Sequence, residues 1–306
     1  MSPLIAIVYR AYYTPSRCEQ NRTMQLGDFT LTTISGGRFR LDGGAMFGVV
    51  PKPLWERCLP ADEKNRVPMA TNCLLIEAPD GTRTLIDTGY GTRFTDKQRA
   101  IYEMPNRSEL VDGLNTLGLT PSDIDMVILS HLHFDHAGGG CQQNIDGQVR
   151  PLFTNAQYIV QRREWDVAMC GESEWSAIYD RSNFACLAES GQLELVDGDA
   201  EIAAGIQARL TGGHSPGHQA IVIQNGNEAA VYLGDICPTW DHLPMMWCMA
   251  YDANVVDVRR EKTKLLGEIV DRQMWALSDH DSRHAAARLS RDKRRDFVAD
   301  TLVESL

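Results

Sequence analysis

The sequence has few positive charges for its length. Its 306 residues include 30 Lys and Arg against 41 Asp and Glu, which gives a formal net charge of −11. Proteins that bind nucleic acid need a broad positive surface, because neutralising backbone phosphates supplies much of the binding free energy. We therefore expect no nucleic-acid partner, and a small-molecule substrate instead.

Paired cysteines and long apolar runs are also lacking. The eight cysteines form no Cys-x-x-Cys pair, and a chain of this length does not need disulfide bonds for stability. We expect reduced thiols and a cytoplasmic protein. The apolar residues 4–9 are too few for a signal-peptide core, and no run is long enough to cross a bilayer. We therefore expect no membrane partner.

No Gly-x-Gly-x-x-Gly turn follows a strand-like segment, which argues against a dinucleotide-binding fold. Repeats, low-complexity tracts and domain linkers are absent from the sequence as well. Residues 24–306 are therefore expected to form one domain. Residues 1–23 match no periodicity, and we interpret them as an arm, disordered or not native, with Met24 as an alternative start.

Strand-like and helical segments alternate along the chain, which indicates an α/β fold. The strand-like segments are residues 29–34, 73–78, 84–87, 126–130, 158–161, 220–224 and 229–233. The helical segments are residues 108–117, 164–170, 257–270 and 285–303.

One short segment concentrates side chains that bind metals. The strand-like residues 126–130 run directly into His-Leu-His-Phe-Asp-His at residues 131–136. Alternate residues of an extended backbone point the same way, so His131, His133 and Asp135 share one side, and His136 joins them as the chain turns. Imidazole and carboxylate groups are the usual ligands of zinc-class ions. The segment therefore predicts a metal site at the end of a strand.

Further candidate ligands occur where other strand-like segments begin or end. His218 follows a Pro-Gly turn, Asp235 follows a strand, and His280 follows an apolar run near residue 277. We interpret His214 as a structural or supporting residue, because the rigid turn lies immediately before His218. We interpret Cys237 as a packing residue because Asp235, two positions earlier, is available as a ligand.

The order of these motifs resembles the metallo-β-lactamase superfamily. The resemblance implies an αββα sandwich, in which two mixed β-sheets lie face to face and are flanked by helices. It also implies two divalent ions, zinc first with iron, manganese or cobalt as alternatives, and a bridging hydroxide as nucleophile. Asp87 matches a buried aspartate that supports the metal site in this family. The implied ligands are His131, His133 and His218 for one ion, Asp135, His136 and His280 for the other, and Asp235 as the bridge.

Residues 43–51 and parts of residues 234–252 resemble the YtnP-like branch of the quorum-quenching N-acyl-homoserine lactonases. The resemblance covers about residues 26–281 and implies a lactone substrate. Residues 46–55 and 242–251 are apolar, and we expect them to form the walls of an acyl pocket, with core or dimer contacts as the alternative. A homodimer is left open. The expected substrate-binding residues are Met46, Phe47, Trp55, Met246 and Trp247.

Asp135 and Asp235 are the expected catalytic residues, acting with the bridging hydroxide. The chain departs from well-known lactonases at Pro238, where those enzymes carry a tyrosine. Help for the leaving group is therefore expected from His242 or Tyr251. Residues 282–306 receive no role.

The metal ligands alone do not determine the substrate. Phosphotriesters or aryl esters are the first alternative, followed by β-lactams or thioesters. A catalytically silent metal-binding protein is the alternative that is not an enzyme.

Overall fold

Strands and helices alternate in the computed structural model, which describes residues 23–176 and 178–306. The strands are β1 (Thr23–Leu26), β2 (Phe29–Asp42), β3 (Arg66–Glu77), β4 (Arg83–Ile86), β5 (Met126–Ile128), β6 (Cys141–Gln143), β7 (Val149–Pro151), β8 (Gln157–Gln161), β9 (Leu193–Val196), β10 (Ala200–Ala203), β11 (Ile206–Leu210), β12 (Gln219–Asn225), β13 (Glu228–Tyr232), β14 (Trp275–Leu277), β15 (Ala286–Asp292) and β16 (Asp296–Val303). The helices are α1 (Gly43–Phe47), α2 (Lys52–Trp55), α3 (Asp96–Tyr102), α4 (Glu109–Thr116), α5 (Phe134–Ala137), α6 (Arg162–Met169), α7 (Ser173–Ser176), α8 (Cys186–Glu189) and α9 (Val255–Asp271).

The strands form two mixed seven-stranded sheets and a small β6–β7 hairpin. The first sheet has the order β1-β2-β3-β4-β5-β8-β9, and the second runs in sequence order from β10 to β16. Strands β4, β5, β8 and β9 are parallel, as are β13 and β14, while the other neighbours are antiparallel. Parallel neighbours need long crossover connections, which the helices supply.

An apolar layer between the two sheets forms the centre of the fold. Ile86 and Ile128 from the first sheet pack in one cluster with Ile221 and Leu277 from the second. The outer face of the first sheet packs against α4 and α6, and that of the second packs against α9. This arrangement confirms the predicted αββα sandwich.

The prediction of a helix over residues 285–303 is wrong. These residues form β15 and β16, an antiparallel hairpin at the edge of the second sheet. Phe297 packs into the apolar cluster beneath α9, and the guanidinium of Arg291 lies over its ring at 5.7 Å from the centroid.

Two expectations fall wholly or partly outside the described residues. The arm predicted for residues 1–23 lies there except for Thr23, which begins β1. Cys18 also lies there, while the other seven cysteines are free thiols. Within the described ranges, no helix combines the length and the apolar character needed to cross a bilayer.

Parallel strand pairs bring the predicted ligand segments to one edge of the sandwich. Residues 131–136 follow β5, which is paired with β4, and Asp87 follows β4. Asp235 follows β13 and His280 follows β14, its parallel partner. The carboxyl ends of parallel strands meet at the same edge of a sheet, so these side chains lie close together.

Candidate metal centre

Asp235 lies at the middle of a buried cluster of histidines and carboxylates. Its Oδ2 is 2.9 Å from His214 Nε2 and 3.8 Å from His131 Nε2. Its Oδ1 is 3.1 Å from His280 Nε2 and 3.7 Å from His136 Nε2. The two oxygens of this one carboxylate therefore face two separate groups of histidines.

The first group consists of His131, His133 and His214 together with Asp235. One potential ligand atom from each residue lies within 4.8 Å of those from the others. His214 Nε2 is 3.0 Å from His133 Nδ1. The ring of Tyr179 lies 5.4 Å from that of His133, measured between centroids.

The second group consists of His136, His280, Asp279 and Asp235, with potential ligand atoms equally close to one another. The Nε2 atoms of His136 and His280 are 3.1 Å apart. Asp135 borders this group, because its Oδ2 lies 3.5 Å from His280 Nε2. The structure thus brings together Asp135, His136 and His280, as the sequence predicts.

Sequence reasoning missed Asp279. The residue stands next to His280 in the Ser-Asp-His-Asp segment that follows β14, which is the signal that could have identified it. Burial raises the pKa of Asp279 well above its usual range, and the nearby Asp235 carboxylate acts in the same direction.

Hydrogen bonds fix the orientation of the histidine rings. The Nδ1 of His136 is 2.8 Å from Asp87 Oδ2, and that of His280 donates to the Ala70 carbonyl at 2.7 Å. These bonds leave Nε2 of both rings directed at the cluster. Asp87 also accepts hydrogen bonds from the backbone and hydroxyl of Ser130, each at 2.7 Å, as expected for a buried supporting aspartate.

His218 lies beside the cluster, with its ring 5.3 Å from that of His131 and 5.8 Å from that of His214, measured between centroids. Its Nδ1 is 2.6 Å from the hydroxyl of Thr211, and its Nε2 faces the backbone of Gly234. Gly234 has a positive φ of 55°, and a Cβ built there would lie 2.5 Å from His218 Nε2. Potential ligand atoms of His214, but not of His218, lie within 4.8 Å of those of His131, His133 and Asp235. The Nε2 of His218 is nevertheless buried and has no hydrogen-bond partner among the described residues, so both histidines are candidate ligands.

The charges of the cluster favour a bound cation. Burial opposes a negative charge on Asp235, but the neighbouring histidines, His214 and His280 first, outweigh it and hold its pKa well below the usual range. Burial would lower the pKa of His214, but Asp235 and Asp252 outweigh it and raise the pKa to about 10. Without a metal ion, protons on buried histidines therefore balance the buried carboxylates.

The donor atoms fit a pair of metal ions. His131 Nε2, His218 Nε2, Asp235 Oδ1 and both carboxylate oxygens of Asp279 are buried and have no hydrogen-bond partner in the part of the chain that the structure describes. Burial lowers the pKa values of His131, His133 and His218 well below the usual range, which favours the neutral imidazole that binds metals. Buried polar atoms normally have hydrogen-bond partners, so these unpartnered atoms are suited to bind metal ions.

The two candidates for helping the leaving group differ in their surroundings. Both ring nitrogens of His242 are occupied, Nδ1 by the Thr239 hydroxyl and Nε2 by the Met46 carbonyl, each at 2.8 Å. Burial lowers the pKa of His242 to about 4. Tyr251 is partly exposed, and burial, followed by the nearby Tyr102 and Asp135, raises its pKa to about 12. Tyr251 is thus the better proton donor.

Three of the expected substrate-binding residues are core residues. Met46, Phe47 and Trp55 are almost completely buried in one apolar cluster, where the rings of Phe47 and Trp55 stack at 5.1 Å between centroids. Met246 is 50% exposed. Trp247 is partly buried and its ring meets that of Phe47 edge-on at 5.7 Å. Met46, Phe47 and Trp55 therefore fit the alternative interpretation, in which this segment makes core contacts.

Partly buried aromatic residues lie beside the ligand segments instead. Phe134 belongs to the metal-binding motif itself, and the ring of Tyr102 stacks on it at 5.5 Å between centroids. The Phe94 ring contacts Phe134 edge-on at 5.7 Å. Sequence reasoning missed this set, although the position of Phe134 between His133 and Asp135 was a signal.

Comparison with known proteins identifies the family. Residues 66–140 match the metallo-beta-lactamase superfamily. A solved structure described as a probable metal-dependent hydrolase from Staphylococcus aureus is 34% identical to the chain. The match covers 92% of this chain and 100% of that one, with a TM-score of 0.82. The chain belongs to the metallo-β-lactamase superfamily.

Two other relatives are named lactonases. An N-acyl homoserine lactonase from Bacillus thuringiensis is 31% identical over 172 residues, which are 53% of this chain but only 61% of the lactonase. AidC, described as a dizinc quorum-quenching lactonase in complex with a product, is 19% identical with a TM-score of 0.74. That match covers 92% of this chain and 98% of AidC, and it concerns the fold alone.

Proposed function

We propose that this chain is a hydrolase that uses two divalent metal ions and acts on N-acyl-homoserine lactones. One observation carries the metal part of the proposal: the two oxygens of Asp235 face two separate groups of histidines. A carboxylate with this placement could supply one oxygen ligand to each of two ions. The similarity to a structure described as a probable metal-dependent hydrolase supports the same conclusion.

The histidines and carboxylates divide into two ligand sets around the shared Asp235. His131, His133 and His214 would hold one ion, and Asp135, His136 and His280 the other. When bound, such ions act as Lewis acids on the scissile carbonyl and lower the pKa of a bound water. We assign His214 to the first set because its Nε2 lies 2.9 Å from Asp235 Oδ2. His218, whose buried Nε2 has no hydrogen-bond partner among the described residues, is the alternative third ligand.

Residues outside the ligand sets orient the rings and the substrate. Asp87 and Asp252 accept hydrogen bonds from Nδ1 of His136 and His214, so that Nε2 of each ring is presented to the cluster. Tyr251 keeps its proton at neutral pH because its pKa is raised to about 12. An alkoxide leaving group is a stronger base than a phenolate, so Tyr251 can give it a proton.

Two features favour an acyl lactone as substrate. Relatives that share about 30% identity over half of this chain are named N-acyl homoserine lactonases. The partly buried aromatic residues Phe94, Tyr102, Phe134 and Trp247 form an apolar surface beside the ligand segments, which suits an acyl chain.

We further propose zinc as the metal, one domain over residues 24–306, and a cytoplasmic homodimer. All seven cysteines that the structure describes are free thiols, which suits a reducing compartment. Val49 (78% exposed), Leu54 and Met245 are apolar side chains open to solvent in the segments that flank the site, which supports a dimer contact there.

A substrate panel tests the function. Purified protein with a measured metal content is assayed with acyl-homoserine lactones of several chain lengths, a phosphotriester, an aryl ester, a β-lactam and a glutathione thioester. The proposal requires metal-dependent lactone hydrolysis with a higher kcat/KM than for the other substrates. Rapid cleavage of a triester or thioester without lactone turnover would contradict it.

A further inference from the structure

Glu164 is a fully buried carboxylate outside both ligand sets. It lies in the first turn of α6 and accepts four hydrogen bonds. Its Oε1 accepts from the backbone N–H of Leu132 at 3.0 Å and from the Tyr179 hydroxyl at 2.9 Å. Its Oε2 accepts from the Ser215 hydroxyl at 2.7 Å and from the backbone N–H of Gly217 at 2.9 Å.

Each oxygen of Glu164 is bonded to a different ligand segment. Leu132 stands between His131 and His133, whereas Ser215 follows His214. Leu132 and Ser215 are far apart in the sequence, and this one side chain joins their segments. The turn also packs directly on the start of α6, since a Cβ built on Gly217 would lie 2.3 Å from the backbone nitrogen of Glu164.

The other ligand set is held by different groups. Asp87 and the Ala70 carbonyl orient His136 and His280, and Asp87 in turn is held by Ser130 and by the Tyr232 hydroxyl at 3.1 Å. Neither group involves Glu164. Glu164 thus anchors only the first half of the cluster, whereas Asp87 contacts His136 directly and reaches His131 of the first half through the Ser130 hydroxyl, which lies 3.1 Å from His131 Nδ1.

The geometry points to Glu164 as the positioning residue that sets the spacing between the segment of His131 and His133 and the turn that carries His214 and His218, and thereby the affinity of that metal position alone. This inference rests on the two ligand sets of the proposed function but not on the lactone substrate. A carboxylate that accepts bonds from two segments holds them in one relative position, and loss of such outer partners typically costs about 10- to 100-fold in metal affinity.

Glu164→Gln is the informative change because it keeps the size of the side chain. A glutamine replaces one acceptor oxygen with an NH₂ group, which can only donate. The hydroxyls of Tyr179 and Ser215 can rotate to accept from it, but a backbone N–H cannot. Each oxygen of Glu164 faces one backbone N–H, so either amide orientation leaves Leu132 or Gly217 without an acceptor.

The experiment is a chelator-competition titration with Zn²⁺, with thermal unfolding of the metal-free proteins in parallel. His280→Ala and His214→Ala each remove one ligand from one of the two sets. Comparing them with the wild type shows which measured affinity belongs to which metal position. Glu164→Gln should weaken the His131, His133 and His214 position by about 10- to 100-fold and leave the other within about twofold. Asp87→Asn is the matched comparison and should weaken the position of His136 and His280 more than the other, because Asp87 contacts His136 directly and His131 only through Ser130.

Tyr179→Phe removes one hydroxyl but neither backbone bond, so both affinities should remain close to wild type. If Glu164→Gln fails to fold, Ser215→Ala, which removes one bond to Oε2, should weaken the same position selectively. Equal loss at both positions, or no loss at either in a folded variant, overturns the inference. Selective loss in a protein that hydrolyses no lactone would refute the substrate proposal and leave this inference intact.

Discussion

His214 and Asp252 form a hydrogen-bonded pair, with 2.9 Å between His214 Nδ1 and Asp252 Oδ1. The bond turns the opposite ring nitrogen of His214 towards Asp235 Oδ2, also at 2.9 Å. Asp252 is itself fixed, because its Oδ2 accepts the backbone N–H of Met249 at 2.8 Å. A histidine held from behind by a carboxylate is typical of metal ligands.

His214→Ala should therefore remove one of the two metal ions. The loss of a direct ligand should exceed the about 10- to 100-fold weakening that follows removal of an outer hydrogen-bond partner. Metal content per folded chain, measured after gel filtration, should fall from two ions towards one.

His218→Ala is the comparison that separates the two histidines of this turn. It removes a buried ring that packs on Gly234, so thermal stability should fall, but the folded fraction should keep both ions. Retention of both ions by His214→Ala together with loss of one by His218→Ala would restore the ligand set expected from the sequence.

The two histidines show where sequence reasoning stops. Both lie on one short turn, and the Pro-Gly step before His218 made it the better candidate on spacing alone. The turn packs closely against Val258 of α9 at Gly213, which has a positive φ of 79° and leaves no room for a Cβ. That contact joins residues 45 positions apart and has no local signature.

Other elements were predictable because their signals are local. The helical period of residues 257–270 identified α9 to within two residues, and the histidine motif after β5 located the cluster. The hairpin of β15 and β16 was mistaken for a helix because its pairing with β14 supplies the stability that local propensity does not indicate. Phe47 and Trp55 were mistaken for pocket walls because burial depends on what packs over a loop.

Substitutions of two aromatic residues should separate an effect on substrate binding from an effect on folding stability. Trp247→Ala, at the partly buried position, should raise KM for long-chain lactones while leaving a short-chain lactone and the metal content nearly unchanged. Each buried methylene is worth about 0.8 kcal/mol, so the effect should grow with chain length. Steady-state kinetics across a chain-length series is the measurement, and an effect independent of length would count against an acyl contact.

Trp55→Ala serves as the contrasting variant. Trp55 is 1% exposed and stacks on Phe47, so its loss should cost about 3–5 kcal/mol of unfolding free energy. Chemical denaturation measures this cost. A fully stable Trp55→Ala protein with a selectively raised KM would return Trp55 to the substrate pocket.

Lys262 should stabilise the segment that carries Trp247. Its buried ammonium group donates to the carbonyls of His242, Pro244 and Trp247, at 2.9, 3.1 and 2.6 Å. Lys262→Met fills the same space without donors, and each buried carbonyl left unpaired costs about 1–3 kcal/mol. We expect a lower Tm and a raised KM for long-chain lactones, with unchanged metal content.

Lys264→Met on the same helix is the matched control, because that side chain is 73% exposed and makes only a surface ion pair with Glu261. Calorimetry gives the Tm of both variants, and steady-state kinetics gives their KM for long-chain lactones. Equal Tm and KM values for the two proteins would show that Lys262 does not hold the segment.

Cys237→Ser should leave the metal content unchanged. Burial raises the pKa of the Cys237 thiol to about 12, so the thiol stays protonated, and its Sγ contacts the Thr239 carbonyl at 3.7 Å. Metals bind the thiolate form. Elemental analysis of the variant checks this expectation, and loss of an ion would identify Cys237 as a ligand.

Anomalous diffraction from crystals of the zinc-loaded protein tests the central claim most directly. Data collected on the two sides of the zinc absorption edge should give two peaks, one on each side of Asp235. One peak should lie among His131, His133 and His214, and the other among Asp135, His136 and His280. A single peak, or a peak bound to His218 in place of His214, would contradict the account of two ions bridged by Asp235.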